Sequence, residues 1–211
     1  MAHRQKKIAG ARKKELIYPI ILAAGKAPRL RLPQALAIFG GRTTLELAVE
    51  NCTGLAAPIV VLGHNAARVR RKVPRDARVM VHRGWRAGQL SSLRAGLRYV
   101  PRDAAFLLYP VDYPLLTARV IRRLVAGYRR AGAGQAIVMP VFRGRRGHPV
   151  IFSAVVRAEL LKARTAREVV DKEPGRVKCI AVDTPAISMD FDSPASYRAC
   201  RRIFAQRKIQ D

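Results

Sequence analysis

Short runs of apolar residues alternate along this chain with segments in which apolar residues recur every three or four positions. A continuous apolar run is typical of a strand buried on both faces of a parallel sheet, and the longer periodic segments are typical of amphipathic helices. The runs predict strands at 17–23, 58–63, 78–82, 104–109, 135–141, 148–152 and 176–182. The periodic segments predict helices near 43–53, 65–73, 91–100, 117–128, 153–162 and from 193 onward.

Several of these helices begin at residues that cap helix N-termini. Thr43, with Glu46 three positions later, has the pattern of a capping box. Ser153 precedes one helical segment, and Ser193-Pro194 places serine at the N-cap and proline at the first helical position of another. These residues support the predicted helix boundaries.

The alternation of strands and helices predicts a three-layer α/β/α sandwich around a Rossmann-like, mostly parallel sheet. A chain of 211 residues is short enough for one domain. We expect that domain over 16–211, preceded by a basic disordered arm over 1–15. No apolar run approaches the roughly 20 residues of a membrane-spanning helix, so we expect no membrane partner. In such a sheet, ligands bind beyond the carboxyl ends of the strands.

Charge and cysteine content add little to this assignment. The 41 Lys and Arg against 14 Asp and Glu give a net charge of +27, which attracts polyanions. The cations are mostly arginines spread along the chain without interleaved aromatics, so binding of nucleic acid through the arm is the less favoured interpretation. Cys52, Cys179 and Cys200 are widely spaced, which supports neither a disulfide framework nor a zinc site, and we expect a cytoplasmic location.

The loop after the first strand is a candidate phosphate site. Residues 22–34 read LAAGKAPRLRLPQ. Gly25 allows backbone N–H groups to approach phosphate oxygens, and Arg29 offers planar, charge-assisted donors. An ordinary loop between a strand and a helix that happens to carry basic residues explains the segment about equally well.

Carboxylates follow two of the predicted core segments. Asp112 comes directly after a buried strand, where an oxygen ligand is well placed for Mg²⁺, although a turn before Pro114 is the alternative. Asp190 and Asp192 are two positions apart, so they would point the same way from an extended strand end. Capping of the helix at Ser193 is their alternative role.

Two further segments carry polar residues next to predicted elements. Ser92 lies at the start of a helix, where free N–H groups and the helix dipole favour an anion. Trp85 stacks on a ligand or, more in keeping with a lone tryptophan, packs partly buried. His148 lies in a basic loop with Arg146 and is a candidate ligand contact.

Six segments in order, over roughly residues 17–200, resemble the MobA-like NTP transferases, and in particular their molybdenum cofactor cytidylyltransferase branch. The first is the loop at 22–34, compared with L-A-[AG]-G-x-S-x-R-M-G-x-P-K in the family. The others are VVLG (60–63), GWRAGQLSSLRAG (84–96), VDYPL (111–115), GRRGHP (144–149) and DFDSP (190–194). The resemblance implies a fold of the nucleotide-diphospho-sugar transferase type.

The resemblance also implies an activity and a set of site residues. The activity is Mg²⁺-dependent transfer of a nucleotidyl group, CMP being favoured by the LAAG loop, from a nucleoside triphosphate to a phosphate-bearing acceptor such as molybdopterin. The implied nucleotide-binding residues are Leu22, Ala23, Ala24, Gly25, Arg29, Gly63, Gly88 and Ser92. The implied catalytic residues are Arg29, Gln34 and Asp112, the metal ligands Asp112, Asp190 and Asp192, and the acceptor contacts Arg146 and His148.

The phosphate loop departs from the family pattern at three positions. Ala27 replaces a hydroxyl residue, Arg31 a glycine, and Gln34 the lysine that the resemblance assigns to the α-phosphate. Losing one such electrostatic group typically costs about 3 kcal/mol of transition-state stabilisation. Lys26 and Arg31 are the two other cations of the loop that could compensate, and the sequence does not fix the direction of either side chain. A catalytically impaired nucleotide-binding or regulatory homologue is therefore the alternative function.

Overall fold

A computed structural model describes residues 15–132 and 134–207. Its strands are β1 (Ile17–Ala23), β2 (Ile38–Phe39), β3 (Arg42–Thr43), β4 (Ile59–Leu62), β5 (Arg78–Val81), β6 (Ala105–Pro110), β7 (Ile137–Phe142), β8 (Arg145–Arg146), β9 (Val150–Phe152) and β10 (Val177–Ala181). Its α-helices are α1 (Thr44–Asn51), α2 (Ala66–Arg70), α3 (Gln89–Leu97), α4 (Ala118–Arg129), α5 (Arg157–Lys162), α6 (Ala166–Asp171) and α7 (Pro194–Arg207). Short 3₁₀ helices span Gln34–Leu36, Trp85–Ala87, Ala154–Val156, Pro174–Arg176 and Pro185–Ser188.

The central sheet has the order β5-β4-β1-β6-β9-β7-β10, with β8 paired to β7. Strands β5, β4, β1 and β6 are mutually parallel, as are β7 and β10, whereas β9 runs antiparallel between β6 and β7. Since β1 connects onward to β4 on one side and lies against β6 on the other, the topological switch point is between β1 and β6. The predicted mostly parallel sheet is confirmed.

Two apolar clusters cover the two faces of the sheet and complete the predicted three layers. One joins Ile21 of β1 to Leu45 of α1 and Leu124 of α4. The other joins Ile20, the neighbour of Ile21 on the opposite face, to Leu93 of α3. Because successive strand residues point to opposite faces, a wholly apolar β1 contributes to both layers. This is why the core strands are continuous apolar runs.

A third cluster lies outside the sheet and holds the C-terminal part of the described chain. The antiparallel β2–β3 hairpin contributes Phe39, which packs on Phe191 at a ring-centroid distance of 5.6 Å and on Phe204 of α7 at 5.7 Å. Both Phe39 and Phe191 are fully buried. The cluster therefore fixes the loop that precedes α7 against the chain that follows β1.

The structure confirms the predicted N-caps at Thr43 and Ser193 but not the one at Ser153. Thr43 and Glu46 form the predicted capping box at the start of α1. Ser193 accepts a hydrogen bond from the N–H of Ser196 at 3.2 Å, as an N-cap does. Ser153 makes no side-chain cap, and the predicted helix over 153–162 instead begins as a 3₁₀ turn and becomes α-helical at Arg157.

One predicted helix and one predicted strand are shorter in the structure than the sequence pattern indicated. The helix predicted at 65–73 ends at Arg70, and Val69 is its one buried residue. The strand predicted at 148–152 begins at Val150, because the preceding residues turn toward the 3₁₀ helix at 185–188.

The arm predicted over 1–15 lies outside the described residues except for Glu15. The carboxylate of Glu15 accepts hydrogen bonds from the N–H of Ala105 at 2.9 Å and the hydroxyl of Tyr128 at 3.1 Å. Residue 15 is thus attached to the sheet and to α4. Within 15–132 and 134–207, no helix combines the length and apolar character needed to cross a bilayer.

Candidate active site

A cavity of about 270 Å³ opens at the switch point, beyond the carboxyl ends of β1 and β6. We call it the nucleotide cavity. Eight residues assigned to the site from the sequence line it, namely Leu22, Ala23, Ala24, Gly25, Gln34, Gly88, Ser92 and Asp112. Trp85 lines it as well, and so does Lys26, one of the two cations considered as a replacement for the family lysine. Arg86 and Gln89, which the sequence prediction did not assign to it, also line it. The lining does not include Arg29, Gly63, Asp190 or Asp192.

Gly63 acts beside the cavity through its lack of a side chain. A Cβ at this position would lie 2.6 Å from the carbonyl oxygen of Ala24 and 2.7 Å from Cβ of Trp85. Only glycine permits this close approach without displacing both neighbours. Gly63 therefore allows Trp85 to pack against the start of the phosphate loop.

The start of α3 forms one wall of the cavity. Gly88 has a φ of 94°, which favours glycine, and no side chain caps the helix that follows. The hydroxyl of Ser91 instead donates to the carbonyl of Gly88 at 2.7 Å, while Ser92 is buried at the cavity wall. The first amide groups of α3 therefore lack a side-chain acceptor and are available to an anion.

Asp112 lies at the end of β6 with one carboxylate oxygen, Oδ1, buried and without a hydrogen-bond partner among the described residues. Burial, together with the negative charges of Asp190 and Asp192, raises the pKa of Asp112 to about 7. The N–H of Phe191 donates to the carbonyl of Asp112 at 3.1 Å. That backbone contact brings the loop of Asp190 and Asp192 to the end of β6, as the sequence predicted for a shared site.

Two side chains of the phosphate loop contact this second carboxylate loop. Arg29 donates through Nη1 to Oδ2 of Asp192 at 2.7 Å, with both side chains more than half exposed. An exposed pair of this kind contributes about 0–1 kcal/mol, so a ligand displaces either partner at low cost. Gln34 donates through Nε2 to the carbonyl of Phe191. Position 34 thus joins the two loops through a neutral amide.

The carboxylates fit a magnesium ion shared with a substrate. No group of three or more His, Cys, Asp or Glu side chains able to hold a metal occurs in the described part of the chain. Mg²⁺ usually takes only one or two protein carboxylates and completes its shell with water and substrate phosphates. The unpartnered buried oxygen of Asp112, with Asp190 nearby, is such an incomplete donor set.

A second cavity of about 400 Å³ adjoins the first, and Gln89 lines both. Arg146 and His148, the predicted acceptor contacts, both line it, as does Tyr113. Nδ1 of His148 is buried without a partner among the described residues, and burial lowers its pKa to about 4. The imidazole is therefore neutral near pH 7. Its ring lies 5.0 Å from that of Tyr113.

A glycine loop, an uncapped helix start and an unpaired buried carboxylate at the switch point of a parallel sheet define a nucleotide-binding α/β protein. The chain matches the MobA-like NTP transferase domain over residues 19–177 and belongs to that family of nucleotidyltransferases. The family resemblance noted in the sequence is confirmed.

Solved structures and curated relatives agree with this assignment. Rv0371c from Mycobacterium tuberculosis H37Rv is 27% identical, with a TM-score of 0.77 over 89% of this chain and 98% of that one. A complex of Rv0371c with manganese is 26% identical, with a TM-score of 0.73 over the same shares. The bifunctional protein GlmU of Trichlorobacter lovleyi is 28% identical over 179 residues, which are 82% of this chain and 38% of the relative. The chain spans 24% to 38% of the length of the GlmU relatives it matches.

Proposed function

We propose that this protein transfers a nucleotidyl group from a nucleoside triphosphate, with CTP favoured, to a phosphate-bearing acceptor such as molybdopterin. The observation that carries the proposal is the buried, unpartnered carboxylate oxygen of Asp112 in the wall of a cavity that also includes Gly25 and the start of α3. A carboxyl group buried without a partner destabilises a fold, and a ligand removes that cost.

The two cavities divide the substrates between them. The triphosphate lies along the Gly25 loop, with Arg29 free to leave Asp192 for a phosphate, and the base and ribose lie against Gly88 and Ser92. The acceptor occupies the second cavity, where Arg146 offers a charged donor for its phosphate. Because Gln89 lines both cavities, the two proposed substrate positions are neighbours, as transfer between them requires.

Asp112 and Asp190 would hold Mg²⁺. The manganese complex of Rv0371c supports the use of a divalent ion. When bound, the ion neutralises phosphate charge and aligns the two substrates. An oxygen of the acceptor phosphate attacks the α-phosphorus, the bond from that phosphorus to the bridging oxygen breaks, and pyrophosphate leaves. No side chain forms a covalent bond, so the residues bind and orient.

The test begins with calorimetric titration of the protein with CTP, GTP and ATP, each with and without Mg²⁺. Pyrophosphate release is then measured with molybdopterin present. Mg²⁺-dependent CTP binding followed by release supports the full proposal. Asp112→Asn is compared with Asp183→Asn, an exposed carboxylate paired with Arg119, and equal activity of the two variants would contradict the metal assignment.

The contact of Gln34 with Phe191 favours a second candidate, a nucleotide-binding homologue with impaired chemistry. In that case position 34 holds two loops together and no longer stabilises phosphate charge. CTP binding without pyrophosphate release would support this candidate. If the rest of the site is competent, Gln34→Lys raises the release rate, whereas an inert Gln34→Lys variant indicates a binding or regulatory role.

A further inference from the structure

The nucleotide cavity needs a positive charge that position 34 does not supply. Gln34 is neutral, and its amide is engaged by the carbonyl of Phe191. A triphosphate carries several negative charges, and charge on the transferred phosphate is stabilised in nucleotidyl transfer by fixed cationic or hydrogen-bonding groups. The inference below rests on the proposed function and concerns which residue supplies this charge.

The structure separates the other cations of the phosphate loop by position. Arg29 does not line the nucleotide cavity and contacts a phosphate only after leaving Asp192. Arg31 lines a different cavity of about 260 Å³, whose wall includes Arg68, and is also absent from the nucleotide cavity. Lys26 lines both cavities. Of the three basic residues in this loop, Lys26 therefore borders the space that also contacts Asp112.

Two further observations set Lys26 apart. It makes no ion pair with any residue in 15–132 or 134–207, so its charge is available to a ligand. Arg86, the other cation of the cavity wall, lies 4.8 Å from the ring centroid of Trp85 and is therefore engaged by that ring. Lys26 directly follows Gly25, where a flexible four-carbon side chain reaches the phosphates.

We propose that Lys26 supplies the positive charge that the loop lacks at position 34, by contacting the α- and β-phosphates of the bound nucleotide. The loop keeps its cationic function, but the cation stands next to the glycine instead of next to Pro33. Gln34 is then free to serve as the link to Phe191. Lys26 is in this sense a catalytic residue, and no covalent step passes through it.

The test compares Lys26→Met with Arg31→Met, a matched change of a basic residue in the same loop. Lys26→Met should lower kcat for pyrophosphate release about a hundredfold, the loss typical of one electrostatic group, while Arg31→Met changes it less than about twofold. Equal losses in the two variants would overturn the proposal, because a general effect of loop charge would then explain both.

A binding readout and a rescue keep the test independent of turnover. Calorimetry with inorganic triphosphate in Mg²⁺ should show about tenfold weaker binding to Lys26→Met and little change in Arg31→Met. The double variant Lys26→Met/Gln34→Lys should have a kcat at least tenfold higher than that of Lys26→Met alone. Unchanged triphosphate affinity in Lys26→Met would overturn the role of Lys26 while leaving the proposed function intact. A wild-type protein that binds neither CTP nor triphosphate would contradict both.

Discussion

Asp112 and Glu159 are two partly enclosed carboxylates that differ in their hydrogen-bond partners and in the direction of their pKa shifts. Glu159 accepts two hydrogen bonds from the guanidinium of buried Arg176, at 2.6 and 3.0 Å, and a third from Lys172 at 3.1 Å. These bonds lower the pKa of Glu159 to about 2. Burial raises the pKa of Asp112 to about 7. Its buried Oδ1 has no donor among the described residues.

The contrast is between a carboxylate that joins structural elements and one that our proposal assigns to a ligand. Arg176 also donates to the carbonyl of Val169, so its pair with Glu159 joins α5, α6 and the start of β10. Such a pair stabilises the folded state. Asp112 destabilises the folded state when it is ionised. Its position at the switch point is where the proposed function places the metal.

The largest effect is expected from substitution of Asp112, which should remove activity without loss of the fold. Asp112→Ala should reduce pyrophosphate release about a thousandfold, since losing a preorganised electrostatic group costs about 10²–10³ in rate. The fold should be preserved, because Asp112 makes no side-chain hydrogen bond that holds other elements together. Steady-state kinetics with circular dichroism check this, and near-wild-type turnover would disprove the metal role.

At Glu159, we expect a loss of stability without a loss of binding. Glu159→Gln should lower the free energy of unfolding by about 3 kcal/mol, because buried Arg176 loses its counter-charge. Glu50→Gln, which breaks an exposed pair with Arg42, should cost less than about 1 kcal/mol. Urea denaturation measures both, and CTP affinity should not change in either variant.

The pH dependence of that loss follows from the lowered pKa. A carboxyl group whose folded-state pKa lies below its ordinary value of 4.5 stabilises the fold above that value. The stabilisation is lost as the pH falls toward 2. The difference in the free energy of unfolding between wild type and Glu159→Gln should therefore be constant from pH 6 to 8 and become smaller below pH 4.5. A gap that persists unchanged at pH 3 would contradict the role of the ionised pair.

In the metal-free protein, the contribution of Asp112 to stability should depend on pH in the opposite direction. Its folded-state pKa is raised from 3.8 to about 7, so its folded form is favoured while protonated and loses stability as the pH rises through that window. Each pKa unit corresponds to about 1.4 kcal/mol. Asp112→Asn should therefore be more stable than wild type by about 2 kcal/mol or more at pH 8 and nearly equal to it at pH 4. Thermal unfolding without Mg²⁺ tests this, and equal stability at pH 8 would count against the unpartnered carboxylate.

The smallest expected effects distinguish the two remaining carboxylates. Asp190 raises the pKa of Asp112 more than Asp192 does, and Asp192 is paired with Arg29. Asp190→Asn should raise the Mg²⁺ concentration needed for half-maximal activity about tenfold, against about threefold for Asp192→Asn, since removing a group that supports a metal site costs about 10–100-fold in affinity. A reversed order would make Asp192 the principal partner of Asp112.

Local patterns were enough to predict the core strands and the end of β6. A continuous apolar run followed by a single carboxylate placed Asp112 beyond a buried strand, where the structure has it. The β2–β3 hairpin escaped prediction because its strands are two residues long and carry no periodicity. The helix α6 was missed although Thr165, which accepts from the N–H of Glu168, has a recognisable capping pattern.

The features of the site that the sequence did not predict depend on contacts between distant parts of the chain. Gln34 and Phe191 are 157 positions apart, and nothing local to either indicates their hydrogen bond. The separation of Lys26 from Arg31 likewise depends on where the loop folds against α2 and α3. Side-chain direction within a basic loop is decided by tertiary packing, which residue spacing does not encode.

The link between the phosphate loop and the loop of Asp190 and Asp192 has a consequence for biosynthesis. A ribosome adds about 5–20 residues per second, and the N-terminal part of a chain is exposed first. The Gly25 loop, the start of α3 and Asp112 are all made well before Phe191, whose backbone and ring close the site. A nascent chain can thus assemble β1, β4 and β6 while it still lacks the second carboxylate loop. On the proposed function, a chain that ends before Asp190 would have the scaffold of the site without the carboxylates that complete the metal ligands.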